Sequence, residues 1–362
     1  PHVDRLAEEG VLCKNAFTTA GVCAPSRSAI ITGMYQTSLG THHMRCRAEL
    51  PEPIRPFPIY LREAGYYCTN NSKEDYQFVT PEETWDESSS EAHWKNRPDD
   101  GQPFFAVFNF NGCHESGIAD DEKYERGTEG IDRHDRDRVA GTLPPYYPDT
   151  PVTREDWGRY YDVMTAMDTW VGEHLAELEE AGLADNTIVM FWSDHGVGLP
   201  RAKRWLYDSG TRVPLIVRIP ESFRVADQGT PGVQADELVS LMDLGPTVLN
   251  LIGAGVPEFM RGRPFLGGDL PEPRRYIFGA RDRMDERYDI IRAVRDQRYK
   301  YIRNYEPFKA YYQYMNTPEK GRTMQAIRQV EASGTASPEV AQFLAPQKPT
   351  EELYDTETDP HE

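Results

Sequence analysis

A cysteine, a proline and an arginine occupy alternate positions in the segment Cys23-Ala24-Pro25-Ser26-Arg27. Proline suits the first turn of a helix because the amide hydrogen that it lacks would be unpaired there, so the segment predicts a helix that begins near Cys23. Free backbone amides at a helix start attract anions, and Arg27 would lie one turn further on. The segment therefore predicts a sulfur-bearing side chain beside an anion-binding helix end. The alternative is a buried cysteine before an ordinary helix.

Three other segments place polar side chains directly after predicted strands. Ligands bind outside the carboxyl ends of the strands in an open α/β sheet, so we expect these groups to converge on one edge. A carboxylate there suits a hard divalent cation, although Asp and Gly after a strand also commonly make a turn. The residues are Asp194 and His195 after the run 187–192, His114 after the run 104–110, and Lys73 after the weaker run 65–69.

The charge balance limits the classes of partner. The chain has 40 Lys and Arg residues against 59 Asp and Glu residues, and its formal net charge of −19 excludes nucleic acid as a partner. Because salt screens charges beyond about 8 Å, a local group of cations can still bind an anion. No apolar run approaches the roughly 20 residues that a membrane-spanning helix needs, so we expect no membrane span.

The hydrophobic pattern predicts an α/β protein. Short β-branched or aromatic runs alternate with helical patterns, which favours a largely parallel sheet with helices on both faces. Apolar residues recur at three- and four-residue spacing from Thr153 until Gly182, so a long amphipathic helix is predicted there. A second helix is predicted over 238–252.

A stretch rich in Gly and Pro over 262–273 is the predicted boundary between two domains, residues 1–267 and 268–362. A small antiparallel sheet is predicted in the second domain. Its strands are expected in the runs 276–278, 290–294 and 300–302.

The string from Cys23 to Arg27, with its continuation to Thr32-Gly33, resembles the signature of the type I, formylglycine-dependent sulfatases of the alkaline phosphatase superfamily. The resemblance implies that a separate maturation enzyme oxidises Cys23 to an aldehyde, formylglycine. One hydroxyl of its hydrate would attack sulfur, and the other would later expel sulfate. The implied fold is alkaline-phosphatase-like α/β, with a mixed, mostly parallel sheet flanked by helices and a smaller C-terminal α+β subdomain.

The same resemblance implies the other parts of the site. Lys203 matches a lysine that contacts sulfate and can protonate the leaving oxygen, although Arg201 or Arg204 could take its place. Sulfatases also hold the metal with a pair of acidic residues after an earlier strand, which we expect to lie before Pro1. The implied catalytic residues are Cys23, Arg27, Lys73, His114 and Lys203, and the implied calcium ligands are Cys23, Asp194 and His195.

Two features are specific to this sequence. The family's Lys-x-His motif is replaced by Lys73-Glu74-Asp75, so the base that assists sulfate release is open between Asp75 and another group. The segment after the signature helix contains His43 and Arg45. These two residues are predicted to bind further sulfate or carboxylate groups of the substrate, with a solvated loop as the alternative.

The late segments, including Gly198-Leu199-Pro200-Arg201, look closest in layout to heparan N-sulfatase-like members. This implies an O-sulfate or N-sulfamate on a glycosaminoglycan or related sugar, and an extracytoplasmic location, either periplasmic or secreted. One rival interpretation is a formylglycine-dependent phosphonate or phosphodiester hydrolase. The other is a non-catalytic relative that binds sulfated sugar.

Overall fold

The computed structural model describes residues 1–226 and 228–362, and these residues form three sheets. The strand order is β5-β6-β1-β7 in the first sheet, β3-β2-β4 in the second and β11-β10-β9-β8 in the third. The strands are β1 (Val11–Phe17), β2 (Tyr67–Asn71), β3 (Glu87–Ser88), β4 (Phe104–Phe108), β5 (Val189–Trp192), β6 (Leu215–Arg218), β7 (Val233–Ser240), β8 (Ile277–Met284), β9 (Arg287–Arg295), β10 (Tyr299–Asn304) and β11 (Glu351–Asp355).

Helices surround the first two sheets and also precede β11 in the C-terminal part. Short 3-10 turns connect several of the elements. The helices are α1 (His2–Glu9), α2 (Cys23–Thr32), α3 (Gln36–Leu39), α4 (Phe57–Glu63), α5 (Glu115–Ala119), α6 (Asp121–Gly127), α7 (Arg136–Ala140), α8 (Pro151–Glu180), α9 (Asp208–Thr211), α10 (Leu244–Leu251), α11 (Arg322–Ala332) and α12 (Pro338–Phe343).

The strand pairings confirm the predicted fold class. In the first two sheets β1–β7, β2–β3 and β2–β4 are parallel, whereas β1–β6 and β5–β6 are antiparallel. Three of these five pairings are parallel, so the two sheets taken together are mixed and mostly parallel, as predicted. The third sheet is antiparallel throughout its three pairings, which confirms the small C-terminal sheet and adds β11 to it.

The long predicted helix is confirmed as α8. It begins at Pro151, and the Thr150 hydroxyl caps it by accepting a hydrogen bond from the Thr153 amide. Gly182 has a left-handed φ of 68° just beyond its end, a conformation that glycine adopts without steric cost. The buried face of α8 packs beside α1, α5, α7 and α11. Its apolar residues on that face include Trp157, Val163, Val171, Leu175 and Leu178.

The helix predicted over 238–252 is wrong at its start. Leu238, Val239 and Ser240 complete β7, where they pair with Asn15, Ala16 and Phe17 of β1. A capping box between Ser240 and Asp243 then reverses the chain, and α10 begins at Leu244. The apolar run of a buried parallel strand cannot be distinguished from a helix by periodicity alone. The sequence pattern therefore predicts one helix where the structure has the end of β7 followed by α10.

The C-terminal sheet packs directly on a loop of the larger part. The Lys300 ammonium on β10 donates to the Leu206 carbonyl at 2.9 Å. The Arg281 guanidinium on β8 lies 4.0 Å from the centroid of the Trp205 ring. Both basic side chains are buried. The division into domains 1–267 and 268–362 stays a prediction, and this close packing joins the two parts.

A cavity of about 1370 Å³ lies between β4 and β5, and residues of both strands line it. Most of its wall is apolar and includes the inner face of α8. At one end the wall becomes polar, where the chain leaves the carboxyl ends of β4 and β5. The polar lining residues at that end include Arg27, Lys73, Asn109, His114 and Asp194.

We expect that Gly21→Ala destabilises the protein. A Cβ at Gly21 would lie 2.1 Å from the Trp205 carbonyl oxygen, so the backbone that carries Lys203 would have to move. Overpacking of this kind costs about 1–3 kcal/mol of unfolding free energy, measurable by denaturant titration. Gly141→Ala is the control, because its Cβ would meet only the Arg138 carbonyl at 3.6 Å. Equal stability of the two variants would contradict this account of the loop.

Candidate active site

Cys23 is the first residue of α2, which follows the carboxyl end of β1. Its side chain is buried, and burial raises the pKa of the thiol despite the charges of Lys203 and Lys73, which act in the opposite direction. A protonated thiol is a poor nucleophile. The unmodified cysteine is therefore a protonated thiol of low nucleophilicity, and its conversion to formylglycine stays a prediction.

Arg27, one turn further along α2, connects the segments that follow three strands. Its guanidinium donates to the Asn109 Oδ1 after β4 at 2.7 Å and to the Asp194 Oδ2 after β5 at 3.4 Å. It also donates to the backbone carbonyl oxygens of Lys73 and Glu74 after β2. The fork of five N–H donors on arginine suits this role. These contacts bring the segments after β2, β4 and β5 together. β5 lies in a different sheet from β2 and β4, so the convergence spans two sheets and not one edge of a single sheet.

Asp194 lies beside these cations. The Lys73 Nζ is 4.0 Å from its Oδ2, and the Ser26 hydroxyl donates to its backbone carbonyl at 2.6 Å. Burial would raise the pKa of Asp194, but the charges of His195, Arg27, Lys73 and Lys203 outweigh burial and hold that pKa below its ordinary value. Asp194 is therefore an ionised carboxylate at neutral pH.

His195 keeps one free ring nitrogen. Its Nδ1 donates to the Gly196 carbonyl at 2.7 Å, which leaves Nε2 as the unprotonated atom, 3.7 Å from the Asp194 Oδ1. Burial lowers the pKa of His195 to about 4, even though the Asp194 carboxylate favours the charged form. At neutral pH this imidazole is an acceptor, available to a metal ion or a proton.

Lys203 and His114 form a pair at the same end of the cavity. The Lys203 Nζ donates to the His114 Nε2 at 3.0 Å and to the Glu115 Oε1 at 2.9 Å. An ammonium can only donate, so the His114 Nδ1 carries the ring proton and donates it to the Ser116 hydroxyl at 2.9 Å. The Ser116 amide, 3.3 Å from the same nitrogen, is then a close polar contact and not a hydrogen bond. Burial, followed by the charge of Lys203, lowers the pKa of His114 to about 4.

The two arginines that could have replaced Lys203 lie elsewhere. Arg201 lies between the rings of Tyr146 and Tyr207, 4.4 Å and 4.0 Å from their centroids. Arg204 pairs with Glu115 and Asp285. The geometry therefore favours Lys203 among the three, and its catalytic role stays a prediction.

The predicted substrate-binding residues contact the C-terminal sheet. The ring of His43 is 5.1 Å from that of Tyr288, which lies on β9. The Arg45 side chain is 72% exposed, and its guanidinium is 3.8 Å from Asp285. Neither side chain contacts Cys23 or Arg27 in this structure. Arg45 is connected to the Lys203 loop through Asp285, at the turn between β8 and β9, where Asp285 also binds Arg204.

The donors at this site form only part of a calcium shell. Asp194 supplies carboxylate oxygens and His195 a neutral nitrogen, whereas Ca²⁺ takes six to eight oxygen ligands, about twice or more what these residues offer. The carboxylate is ionised, which is the chemistry that a hard cation requires. Asp194 fits such a site, and the remaining oxygens must come from other groups.

A second group of potential metal ligands, His93, His174 and Glu177, lies between the turn Trp94–Asn96 and α8, within 4.8 Å of one another. The Lys95 amide donates to the His93 Nδ1 at 3.1 Å, which places the ring proton on Nε2, 3.1 Å from the Glu177 Oε2. The Lys95 ammonium also pairs with Glu177. Internal hydrogen bonds therefore satisfy this group.

Three residues at the site were not assigned a role from the sequence. Asn109 links Arg27 to β2, Glu115 binds Lys203, and Asp285 binds Arg204. Asn109 lies inside the predicted run 104–110, because β4 ends earlier, at Phe108, and Glu115 follows shortly after that run, which was the available signal. Asp285 lies about 80 residues beyond Arg204 in a hairpin turn, and no local pattern marks it.

Family comparisons support this geometry. The family model described as Sulfatase matches residues 1–97 and 67–254, which is most of the chain. The chain belongs to the sulfatase family. A second model, described as N-sulphoglucosamine sulphohydrolase, C-terminal, matches residues 200–331 of this sulfatase-family chain. Both the predicted hydrolase family and the resemblance to heparan N-sulfatase-like members are confirmed.

Individual relatives agree with the family models. An ulvan-active sulfatase of Formosa agariphila is 42% identical, and the match covers 100% of this chain and 66% of that protein. The N-sulphoglucosamine sulphohydrolase of Homo sapiens is 27% identical over 84% of this chain and 68% of its own length. This sulfatase-family chain thus spans about two thirds of the length of the curated relatives it matches.

Solved structures show the same fold. One protein, solved in complex with its substrate D-glucosamine-2-N,6-O-disulfate, has a TM-score of 0.64 at 16% identity, with 100% of this chain and 87% of that chain covered. The phosphonate monoester hydrolase of Agrobacterium radiobacter has a TM-score of 0.65 at 19% identity, covering 100% and 85%. Within the described part of this sulfatase-family chain, no helix has the length and apolarity to cross a membrane.

We expect the His114 ring to titrate with a midpoint of about 4, well below the ordinary 6.5. Replacement of Lys203 by methionine removes a neighbouring positive charge that disfavours the imidazolium, so the midpoint should rise in Lys203→Met. Ring nitrogen shifts followed by NMR across the pH range measure both values. Lys123→Met on α6 is the control. A midpoint that does not move in Lys203→Met contradicts the pairing of Lys203 with His114.

Proposed function

We propose that this protein hydrolyses a sulfate ester or sulfamate on a sulfated saccharide. The observation that carries the proposal is the group of side chains at the polar end of the cavity. Cys23 begins α2 beside this end, and the charges of Lys203, Lys73 and Asp194 act on its thiol. Their contacts are described above.

The charges at this end of the cavity suit a sulfate group. Arg27, Lys73 and Lys203 supply three positive charges. Asp194 lies beside the first two, and Glu115 pairs with Lys203. Cations arranged around the position of a transferring anionic group stabilise the charge that develops there. The protein as a whole is acidic, with a net charge of −19, so the affinity for an anion must come from this local arrangement.

Lys203 and His114 are placed to act on the leaving group. Lys203 uses one N–H for Glu115 and one for His114, so the third is available to a substrate oxygen or nitrogen. Cleavage of the S–O or S–N bond leaves negative charge on the sugar atom, and a proton from this pair neutralises it. Lys203 is the donor in this step, because His114 is neutral, and a proton from solvent restores the ammonium afterwards.

Cys23 is the proposed nucleophile after maturation. Oxidised by a maturation enzyme, it would supply an aldehyde whose hydrate attacks sulfur and later expels sulfate. The residues around it would then hold the substrate. Arg27 suits this role because four acceptors fix the direction of its guanidinium. Asp75 is close enough for its charge to raise the pKa of Cys23, and it is the proposed base for sulfate release.

Asp194 is the proposed calcium ligand of this chain, with His195 and the modified Cys23 as neighbours in the shell. A bound Ca²⁺ would neutralise sulfate oxygens and compensate the carboxylate. Without a cation, Asp194 is balanced by Arg27 and Lys73, which are also the proposed sulfate ligands. With a cation bound at Asp194, the positive charges of Arg27 and Lys73 would be available to compensate a sulfate group.

The proposed substrate class is a sulfated sugar that carries a further anionic group. The names of two relatives refer to ulvan and to N-sulphoglucosamine. In this chain the exposed Arg45 and the ring of His43 lie beside the C-terminal sheet, where a second sulfate or a carboxylate could pair with the guanidinium. We also propose an extracytoplasmic location, as sulfated polysaccharides would be met there.

We expect that co-expression with a formylglycine-generating maturation enzyme converts Cys23 to the aldehyde, detected by peptide mass spectrometry. The matured protein should then hydrolyse sulfated saccharides. Cys23→Ala should lower kcat by about 10³-fold or more, because the nucleophile is lost. Cys46→Ala, which removes a half-buried thiol, is the control and should retain activity.

Two results would redirect this proposal. Faster turnover of an aryl phosphate diester or phosphonate ester than of any sulfate would support the phosphonate or phosphodiester hydrolase. Tight binding of sulfated sugar without turnover by matured protein would support a non-catalytic role. Both measurements use the protein whose Cys23 has been shown to be converted.

Calcium binding can be tested separately from activity. After treatment with a chelator, Ca²⁺ at 100 times its Kd should stabilise the wild-type protein by about 2.7 kcal/mol, seen as an increase in Tm. Asp194→Asn should lose most of this increase because the ionised ligand is absent. Asp236→Asn, which removes an exposed carboxylate paired with Lys14, is the control. An equal Tm increase in Asp194→Asn would contradict the assignment.

A further inference from the structure

We propose that Glu115 is a positioning residue that holds Lys203 in line with the leaving group. This inference rests on the proposed function and adds a residue to it. Glu115 is the first residue of α5 and directly follows His114. Its carboxylate is the second partner of the Lys203 ammonium, after the His114 ring.

The geometry around Glu115 leaves its carboxylate little freedom. The Arg204 guanidinium binds it in bidentate fashion, with Nη1 to Oε2 and Nη2 to Oε1, both at 2.8 Å. The Arg204 Nε donates in turn to the Asp285 Oδ2 at 2.7 Å. Bidentate arginine–carboxylate pairs fix orientation as well as distance. The carboxylate that receives Lys203 is therefore itself fixed from the opposite side.

Because the four charged side chains of this network are buried, each of them needs its partner. The side chains of Lys203 and Arg204 are 1% and 3% exposed, and those of Glu115 and Asp285 are 13% and 5% exposed. A buried charge without a partner is strongly destabilising. The two positive charges of Lys203 and Arg204 are neutralised by the two carboxylates of Glu115 and Asp285. Burial would raise the pKa of Glu115, but the hydrogen bonds and charge of Arg204, together with the charge of Lys203, keep it below its ordinary value.

The backbone near Glu115 is also constrained. A Cβ at Gly198 would lie 3.0 Å from the Glu115 amide nitrogen and 3.1 Å from its Cα, so the loop after the Asp194 motif passes close to the start of α5. Glu115 cannot move away from Lys203 without displacing this loop. The position of the Lys203 Nζ is thus set by a carboxylate that is rigid in both side chain and backbone.

A positioning role predicts an effect that depends on the leaving group. Glu115→Gln keeps the side-chain volume but removes the charge that fixes Lys203. Displacement of a proton donor by about 1 Å can cost about 100-fold in rate. We therefore expect kcat for a sugar sulfate to fall about 10- to 100-fold, with KM changed less than about threefold. Turnover of 4-nitrophenyl sulfate should fall much less, because nitrophenolate leaves without a proton.

Asp243→Asn is the matched control. Asp243 is also buried and binds an arginine, Arg274, with both carboxylate oxygens, but it lies at the start of α10 and does not contact Lys203 or His114. It should lower stability without changing the ratio of the two activities. An equal loss on both substrates in Glu115→Gln, or kcat for the sugar sulfate within about twofold of wild type, would overturn the proposal.

Two further measurements keep the test decisive. If Glu115→Gln does not fold, Glu115→Asp retains the charge and shortens its reach by one methylene, and it should show the same dependence on the leaving group. A uniform loss there would overturn the proposal. If the matured wild-type protein hydrolyses no substrate, the proposed function fails, and the His114 titration still tests Glu115. Loss of its negative charge should lower the midpoint in Glu115→Gln, and an unchanged midpoint would overturn the coupling.

Discussion

The arrangement of the site depends on the hydrogen bonds of the Arg27 guanidinium. This guanidinium is a largely buried cation one turn into α2, 14% exposed, and its acceptors lie in the segments that follow β2, β4 and β5. A charge with so little access to water needs these acceptors, so the segments that carry them are held in place. One side chain thus joins two sheets that share no strand pairing among the described residues.

Charge compensation then determines the state of each neighbouring group. Lys73 and Arg27 keep Asp194 ionised, and burial together with nearby positive charges keeps His114 and His195 neutral. The same burial keeps the Cys23 thiol protonated. The site therefore combines fixed cations, the carboxylates of Asp194 and Glu115, and neutral imidazoles. These are the groups needed to bind a divalent anion and to move a proton beside it.

Much of this organisation was predictable from the sequence, because the decisive residues follow strands or begin a helix. Cys23, Arg27, Asp194 and His114 were placed by such local signals, and α8 by its periodicity. The contact between Glu115 and Arg204 was not predictable, since it joins positions 89 residues apart. The start of α10 was misplaced because the buried end of β7 runs into it without a change in hydrophobicity. The local sequence pattern predicts helices and strands. Ion pairs between residues that are far apart in the sequence can be identified only from the structure.

The loop that carries Lys203 has one further consequence. Lys300 and Arg281 hold its far side from the C-terminal sheet, whereas Gly21 and Glu115 hold its near side from the larger part. The segment from Leu199 to Tyr207 therefore forms part of the interface between the larger part of the chain and the C-terminal sheet. Sulfatases of this type should not recombine freely at the Gly- and Pro-rich boundary. A chimaera that exchanges the C-terminal sheet between relatives would also have to exchange the interface segment from Leu199 to Tyr207.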